Sequence, residues 1–459
     1  MSEFPLDMVA EATQGEISGG PAPRVFQGIC TDTRMLTPGA LFVALKGERF
    51  DGHDFVAEAF RRGAGAAIVS QRVPGCGPLV LVRDTLGALG KLAARHRKLM
   101  PAKVIAVTGS IGKTTTKEMI WAILSQGWPT GRTPGNYNNE VGVPLALLEL
   151  EGWHRAAVVE LAMRGRGQIA YLAQMAQPEI GVVTNVGVSH LELLGSREAI
   201  AEAKAELVEA VPDNGTVVLN ADADFFEFLS SRSRAQVVSF GRNPSAAVRA
   251  KRVEVTAEGR VRFLLCGRWG EQELSLPAAG RHQALNAAAA AAAAMAVGAR
   301  PEWIAAGLAA FEGAEMRSRV ARAPGGFTVI DDCYNAAPES MRVALELLAD
   351  LPGERKWAVL GDMKELGPMG AEWHREVGEL AARVGLAGLI TVGELGGQIA
   401  AGARAALAEA EVIEAADNEA AAAATVERIR PGDVVLVKGS RAMKMEEIVG
   451  LLLASGGGR

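Results

Sequence analysis

An apolar run that turns through two glycines into a lysine- and threonine-rich segment constrains this chain most: residues 104–117 read Val-Ile-Ala-Val-Thr-Gly-Ser-Ile-Gly-Lys-Thr-Thr-Thr-Lys. Residues 104–107 have the character of a buried parallel strand. Gly109 and Gly112 allow a tight turn that points backbone N–H groups inward. Residues 113–124 then read as a helix, whose free N-terminal amides favour an anion. In that reading Gly109, Ser110, Ile111, Gly112, Lys113, Thr114 and Thr115 cradle phosphate, Lys113 bridges the outer phosphates, and the Thr114 or Thr115 hydroxyl ligates Mg²⁺. The general pattern has a glycine five residues before Gly112, where this chain has Val107.

A strand–loop–helix of this kind needs neighbours, and the chain supplies them. The middle alternates strand candidates (156–162, 180–184, 216–219) with helical stretches, the pattern of a parallel sheet. Residues 248–276 differ: alternating runs broken at Glu258-Gly259 and Gly267 predict an antiparallel insert or edge. The alanine run 287–294 reads as a buried helix that allows close packing, since alanine is the strongest helix former. Strand candidates recur at 327–330, 357–360, 389–392 and 434–437, a second open α/β sheet with its own core. Before the glycine loop, 40–45, 66–69 and 79–82 are short strands and 86–98 a helix.

With 459 residues, too many for one ordinary core, three domains follow: a small N-terminal α/β domain (1–99), a central P-loop ATPase-like parallel-sheet domain (100–314) and a C-terminal Rossmann-like α/β domain (315–459).

A net charge of −5 gives no electrostatic case for nucleic acid or an anionic membrane. The four cysteines, Cys30, Cys76, Cys266 and Cys333, lie far apart, which argues against a cysteine zinc site and for a reducing compartment. No signal peptide or membrane span is visible. The expectation is a cytoplasmic monomer.

Chemistry should gather where strands end, because open α/β sheets bind ligands beyond the carboxyl ends of their strands. Glu160 and His190 follow two such ends, and beside a triphosphate loop they suit one or two Mg²⁺ ions. Lys204 sits within an apolar stripe of Ile200, Leu207, Val208 and Val211, without an acid three or four residues away. A snorkelling side chain and a partly buried amine able to take up CO₂ are the two readings, and the spacing favours the first. His282 and Asn286 share a helix face, and Asn286 has the groups to read an adenine edge. Asp332 would hold a ribose hydroxyl, with Asn335 and Pro338 shaping its turn. Residues 361–367 and 438–441 follow the next strands onto the same rim.

Taken together these motifs resemble the Mur ligase family, which builds the peptide of bacterial cell-wall precursors. The resemblance covers nearly the whole chain. Residues 30–34 (Cys-Thr-Asp-Thr-Arg) and 42–53 (Phe-Val-Ala-Leu-Lys-Gly-Glu-Arg-Phe-Asp-Gly-His) resemble its uridine-nucleotide domain, and 108–117 is similar to its short P-loop variant, which accounts for Val107. Residues 135–144, 334–335 and 360–367 favour the branch that joins D-alanyl-D-alanine to UDP-N-acetylmuramoyl-tripeptide.

The resemblance implies an ATP- and Mg²⁺-dependent amide ligase working through an acyl phosphate. It implies Lys113 on the γ-phosphate, Thr114 and Glu160 on one Mg²⁺, and His190 with a carbamylated Lys204 on a second. Asn286, Arg319, Asp332, Tyr334 and Asn335 would hold ATP; Thr33, Arg34 and Lys46 the uridine diphosphate; Asn136, Asn138, Asn139, Lys438, Ser440 and Arg441 the remaining substrate. Thr33 stands where the family often has serine, and Ala337 where this branch usually has asparagine. A sibling ligase, a folylpolyglutamate synthase-like enzyme and a nucleotide-state switch are the alternatives.

Overall fold

The computed structural model describes residues 2–256, 258–313, 316–405 and 411–455. It is a three-domain α/β architecture with mixed sheets. The expected boundary after residue 314 lies outside the described residues.

The N-terminal sheet runs in the order Glu16–Ser18, Leu79–Leu81, Ala66–Val69, Leu41–Val43, Ile29–Cys30; its first pairing is antiparallel and the rest parallel. The helix Thr85–Leu99 begins at Asp84, whose carboxylate accepts from the Leu86 and Gly87 amides, a standard N-cap. Leu89, Leu92 and Ala93 bury one face of this helix in a core that continues through Val104 and Ala106 of the central sheet. Arg97, buried on the same helix, donates to the Ala176 carbonyl and pairs with Glu179. The two domains therefore share apolar contacts as well as an ion pair.

Nine strands form the central sheet. The strand Lys103–Thr108 lies between Ala156–Glu160 and Ile180–Val183, all parallel. Beyond Thr216–Asn220 and Gln236–Gly241, the strands Val248–Val255, Val261–Gly267 and Gly270–Leu276 close the edge, their mutual pairings antiparallel as their alternation predicts. The helix His282–Val297 is buried throughout its alanine run. Methyl-sized side chains let it lie close against the helix Lys113–Leu124, in the same core as Ile105 and Val107.

The last sheet has six strands, ordered Arg319–Arg322, Thr328–Asp331, Val434–Lys438, Lys356–Gly361, Gly388–Val392, Glu411–Ala415, parallel except for the first pairing. It docks against the loops beyond the central sheet. Val188 N donates to Glu339 Oε1 at 2.8 Å, His190 pairs with Glu365, and Arg281 pairs with Asp350. Among the described residues no helix is long and apolar enough to cross a membrane.

Candidate active site

Gly109 and Gly112 are required by space as well as by conformation. Their φ angles are +149° and +80°, and a Cβ would stand 1.9 Å from Thr184 Oγ1 and 2.6 Å from Asn286 Oδ1 respectively. The loop is held open from the neighbouring strand. Ser110 N and Ile111 N both donate to Asn185 Oδ1 at 3.0 Å, and Thr184 Oγ1 donates to the Ile111 carbonyl at 2.6 Å. Lys113 begins the helix and folds back, its Nζ donating to the carbonyls of Gly109 (2.8 Å) and Ser110 (3.2 Å). An ammonium resting on its own loop's carbonyls can move to an incoming phosphate.

The strand register pairs Glu160 with Val107, which delivers the carboxylate to the mouth of the loop. Glu160 is buried. Its Oε1 accepts from Asn138 Nδ2 at 2.8 Å, while Oε2 has no partner, and neither has the buried Thr114 hydroxyl. Two orphaned hard oxygens at a phosphate loop fit a divalent cation. Among the described residues no three His, Cys, Asp or Glu side chains converge into a metal cage. A cation here would share its shell with water and phosphate, as Mg²⁺ does.

Burial lowers the pKa of Lys113; Glu160 opposes the shift and Arg317 adds to it. Lys204 contradicts the snorkelling expectation. It is only 2% exposed, and burial holds its ammonium well below the ordinary lysine range, with the Lys113 charge adding to the effect. The helix Arg197–Ala210 carries it inward because Ile200, Ala201, Leu207 and Val208 seal the surrounding face. His190 belongs to the same group. Burial depresses its pKa, Glu365 opposes, and the charges of Lys113 and Lys204 both reach it.

His282, at the start of the alanine helix, is pushed down to about 4 by burial, with Asp332 of the last domain opposing and Lys438 adding. Asn286, one turn on, donates to Gln283 at 3.0 Å beneath Gly112. Asp332 accepts from Ser318 N (2.8 Å) and Lys438 Nζ (2.5 Å). Lys438 is buried and also donates to the Asp332 and Asn335 carbonyls. Its ammonium is thus directed at Asp332 and the turn behind it.

Arg319 lies apart from these groups. It opens an edge strand, exposed, in register with Asp331. Arg317 instead lies 4.0 Å over the Tyr334 ring and near Lys113, aimed by left-handed turns at Met316 (φ 54°) and Ser318 (φ 51°). Two arginines at spacing two gave no signal for choosing between them.

Asn138 serves Glu160, and Asn139 accepts from Val141 N and Gly142 N at the start of the next helix. Asn136 is exposed beside them. Ser440 accepts from Lys364 N, and Arg441 pairs with Glu446 while touching Met316 Sδ. Thr33 is buried, Arg34 is bidentate to Asp32, and Lys46 stands 3.7 Å from Asp51. These three lie on the N-terminal domain and make no hydrogen bond or ion pair with the glycine loop among the described residues. Lys117 carried no functional reading in the sequence. It is wholly buried and donates to the Thr133 (2.7 Å) and Gly135 (2.9 Å) carbonyls. Those carbonyls anchor the loop whose Thr133 Oγ1 accepts from Glu160 N.

This chain belongs to the Mur ligase family. Residues 25–97 match the family's catalytic domain, 107–294 its middle domain and 316–441 its glutamate ligase domain. Among its relatives are the UDP-N-acetylmuramoyl-tripeptide–D-alanyl-D-alanine ligases of Synechocystis (42% identical, spanning 93% of this chain and 92% of its own) and Escherichia coli (39%, 99% and 100%). The structure is similar to MurF from Acinetobacter baumannii (TM-score 0.92, 34% identical, 99% and 100% covered) and to the MurF ligase of Thermotoga maritima in complex with ADP (0.83, 31%, 93% and 97%).

Proposed function

We propose that this chain is an ATP-dependent ligase that adds D-alanyl-D-alanine to UDP-N-acetylmuramoyl-tripeptide in peptidoglycan precursor synthesis. The observation that carries the reading is the convergence of Lys113, Glu160, His190 and Lys204 on a glycine loop facing a second α/β domain. The full-length similarity to ligases of that specificity supports the substrate pair. Residues 1–99 would take the uridine end, 100–314 the triphosphate in a P-loop ATPase-like site, and the Rossmann-like 315–459 the nucleotide's outer face and the incoming amine.

Lys113 leaves its loop carbonyls for the γ-phosphate, and the loop amides hold the β-phosphate. Phosphoryl transfer to the tripeptide's terminal carboxylate gives an acyl phosphate; the dipeptide amine then adds and phosphate leaves. Mg²⁺, when bound, neutralises charge on the transferring oxygens. Thr114 and Glu160 would hold one ion, His190 and a carbamylated Lys204 a second. A buried, readily neutralised amine is the form of lysine that reacts with CO₂. Arg317, Asn286, Asp332, Tyr334 and Asn335 would enclose the nucleotide, and domain docking would keep water from the acyl phosphate.

The test is a donor and acceptor screen with mass-spectrometric product identification. UDP-pentapeptide formed only from the tripeptide donor and D-alanyl-D-alanine is the expected result. A preference for a shorter donor and a single amino acid would make the chain a sibling ligase.

A further inference from the structure

We propose that Glu365 is a positioning residue: reaching from the C-terminal domain, it fixes the His190 ring with Nε2 presented to the cation, so that this cation site is complete only when the two domains are docked. The inference rests on the reading of His190 given above.

His190 caps the short helix Leu191–Leu194 with a left-handed φ of 64°. Glu365, which faces it, is also left-handed at 64°. Non-glycine residues hold that conformation only where their surroundings over-determine it, and such residues cluster at functional sites. The two meet at Nδ1···Oε2 2.6 Å. An ionised carboxylate only accepts, so the proton sits on Nδ1 and Nε2 keeps its lone pair. A carboxylate behind an imidazole is the usual outer partner of a metal-ligating histidine, setting its tautomer and its aim.

The contact is built from more than one bond. Glu192 N donates to the Glu365 carbonyl at 3.4 Å, and at Gly367 (φ +60°) a Cβ would stand 3.3 Å from Glu192. The 365–367 turn thus lies on the histidine's own helix. Two residues upstream Val188 N is held by Glu339, again from the C-terminal domain. Both ends of the segment Val188–His190 are therefore gripped by the other domain.

The full chain with Glu365→Ala and Glu365→Gln tests this. Glu365 is 44% exposed, so its removal strands no buried charge, and thermal unfolding verifies the fold. In metal-free protein with ¹⁵N-labelled histidine, the His190 signal (assigned with His190→Gln) should show the Nδ1–H tautomer. Glu365→Ala should lose that preference, and Glu365→Gln, whose amide oxygen still accepts, should keep it. In Mn²⁺ titrations with ADP, Glu365→Ala should weaken one of two sites by about 10–100-fold and spare the other. An Nε2–H tautomer in the unmodified protein, or Glu365→Ala matching it in both tautomer and Mn²⁺ affinity, overturns the proposal. A single Mn²⁺ site indifferent to His190→Gln removes the second-cation reading itself, and the proposal with it.

Discussion

Lys204 is the residue at which the sequence and the fold disagree most instructively. Its spacing along the helix is that of a snorkelling lysine, yet the side chain is buried because the stripe packs into the central sheet's own core with Val104, Ala106 and Val183. Between its lowered folded-state pKa and the ordinary lysine value, the unfolded chain binds more protons, so stability rises with pH across that window. In metal-free, CO₂-free buffer Lys204→Met should therefore unfold at a higher temperature than the parent at pH 7. The gap should close as pH climbs towards the ordinary lysine value; a variant less stable at pH 7 would contradict the burial argument. Lys113→Ala should abolish ATP-dependent phosphate release with the fold intact by circular dichroism. Arg317→Ala should lower kcat/KM for ATP about a hundredfold, the usual effect of removing one charge-stabilising donor. Arg319→Ala should stay within about twofold, because it lies outside the charge-stabilising set. The reverse order would restore Arg319 to the nucleotide site.

At the scale of elements, the glycine-loop strand and helix, the alanine helix and the antiparallel edge at 248–276 were all legible, because each buries a strongly periodic or continuous apolar face. Thr130–Arg132 and Glu411–Ala415 were not. Both are edge strands; the first is three half-exposed residues, and in the second the adjacent Val412 and Ile413 pack against different cores, so neither sequence carries a clear alternation to read. The loop that orients Glu160 was equally silent, since Lys117 looks like a surface residue until its ammonium is seen among carbonyls. Lys117→Met should cost about 3 kcal/mol in denaturant unfolding, the scale of breaking a buried charged contact. Ala337 is the N-cap of the helix Pro338–Asp350 yet has no side chain to accept from the first-turn amides; Ser340 Oγ makes only the reciprocal bond, accepting from Ala337 N. Ala337→Asn should stabilise the protein by about 1 kcal/mol, measured the same way. No change would mean that the first-turn amides gain nothing from a side-chain acceptor at this position.

Over the whole molecule, the three-domain plan and the nucleotide loop followed from alternating elements and one motif. The pairing of groups across the cleft did not. His190 with Glu365, His282 with Asp332, and Val188 with Glu339 join residues far apart in the chain, and only the docked domains bring them together. The residues that the family resemblance assigns to the uridine end sit on a separate sheet, where Arg34 pairs with Asp32 and Lys46 with Asp51. Those cross-domain pairings matter because an acyl phosphate must survive until the amine arrives. The most direct measurement supplies UDP-N-acetylmuramoyl-tripeptide labelled with ¹⁸O in its terminal carboxylate, together with ATP, Mg²⁺ and D-alanyl-D-alanine, and weighs the released phosphate. One ¹⁸O carried into phosphate for each pentapeptide formed is the predicted result. Unlabelled phosphate, or phosphate released at the same rate without the dipeptide, would contradict it.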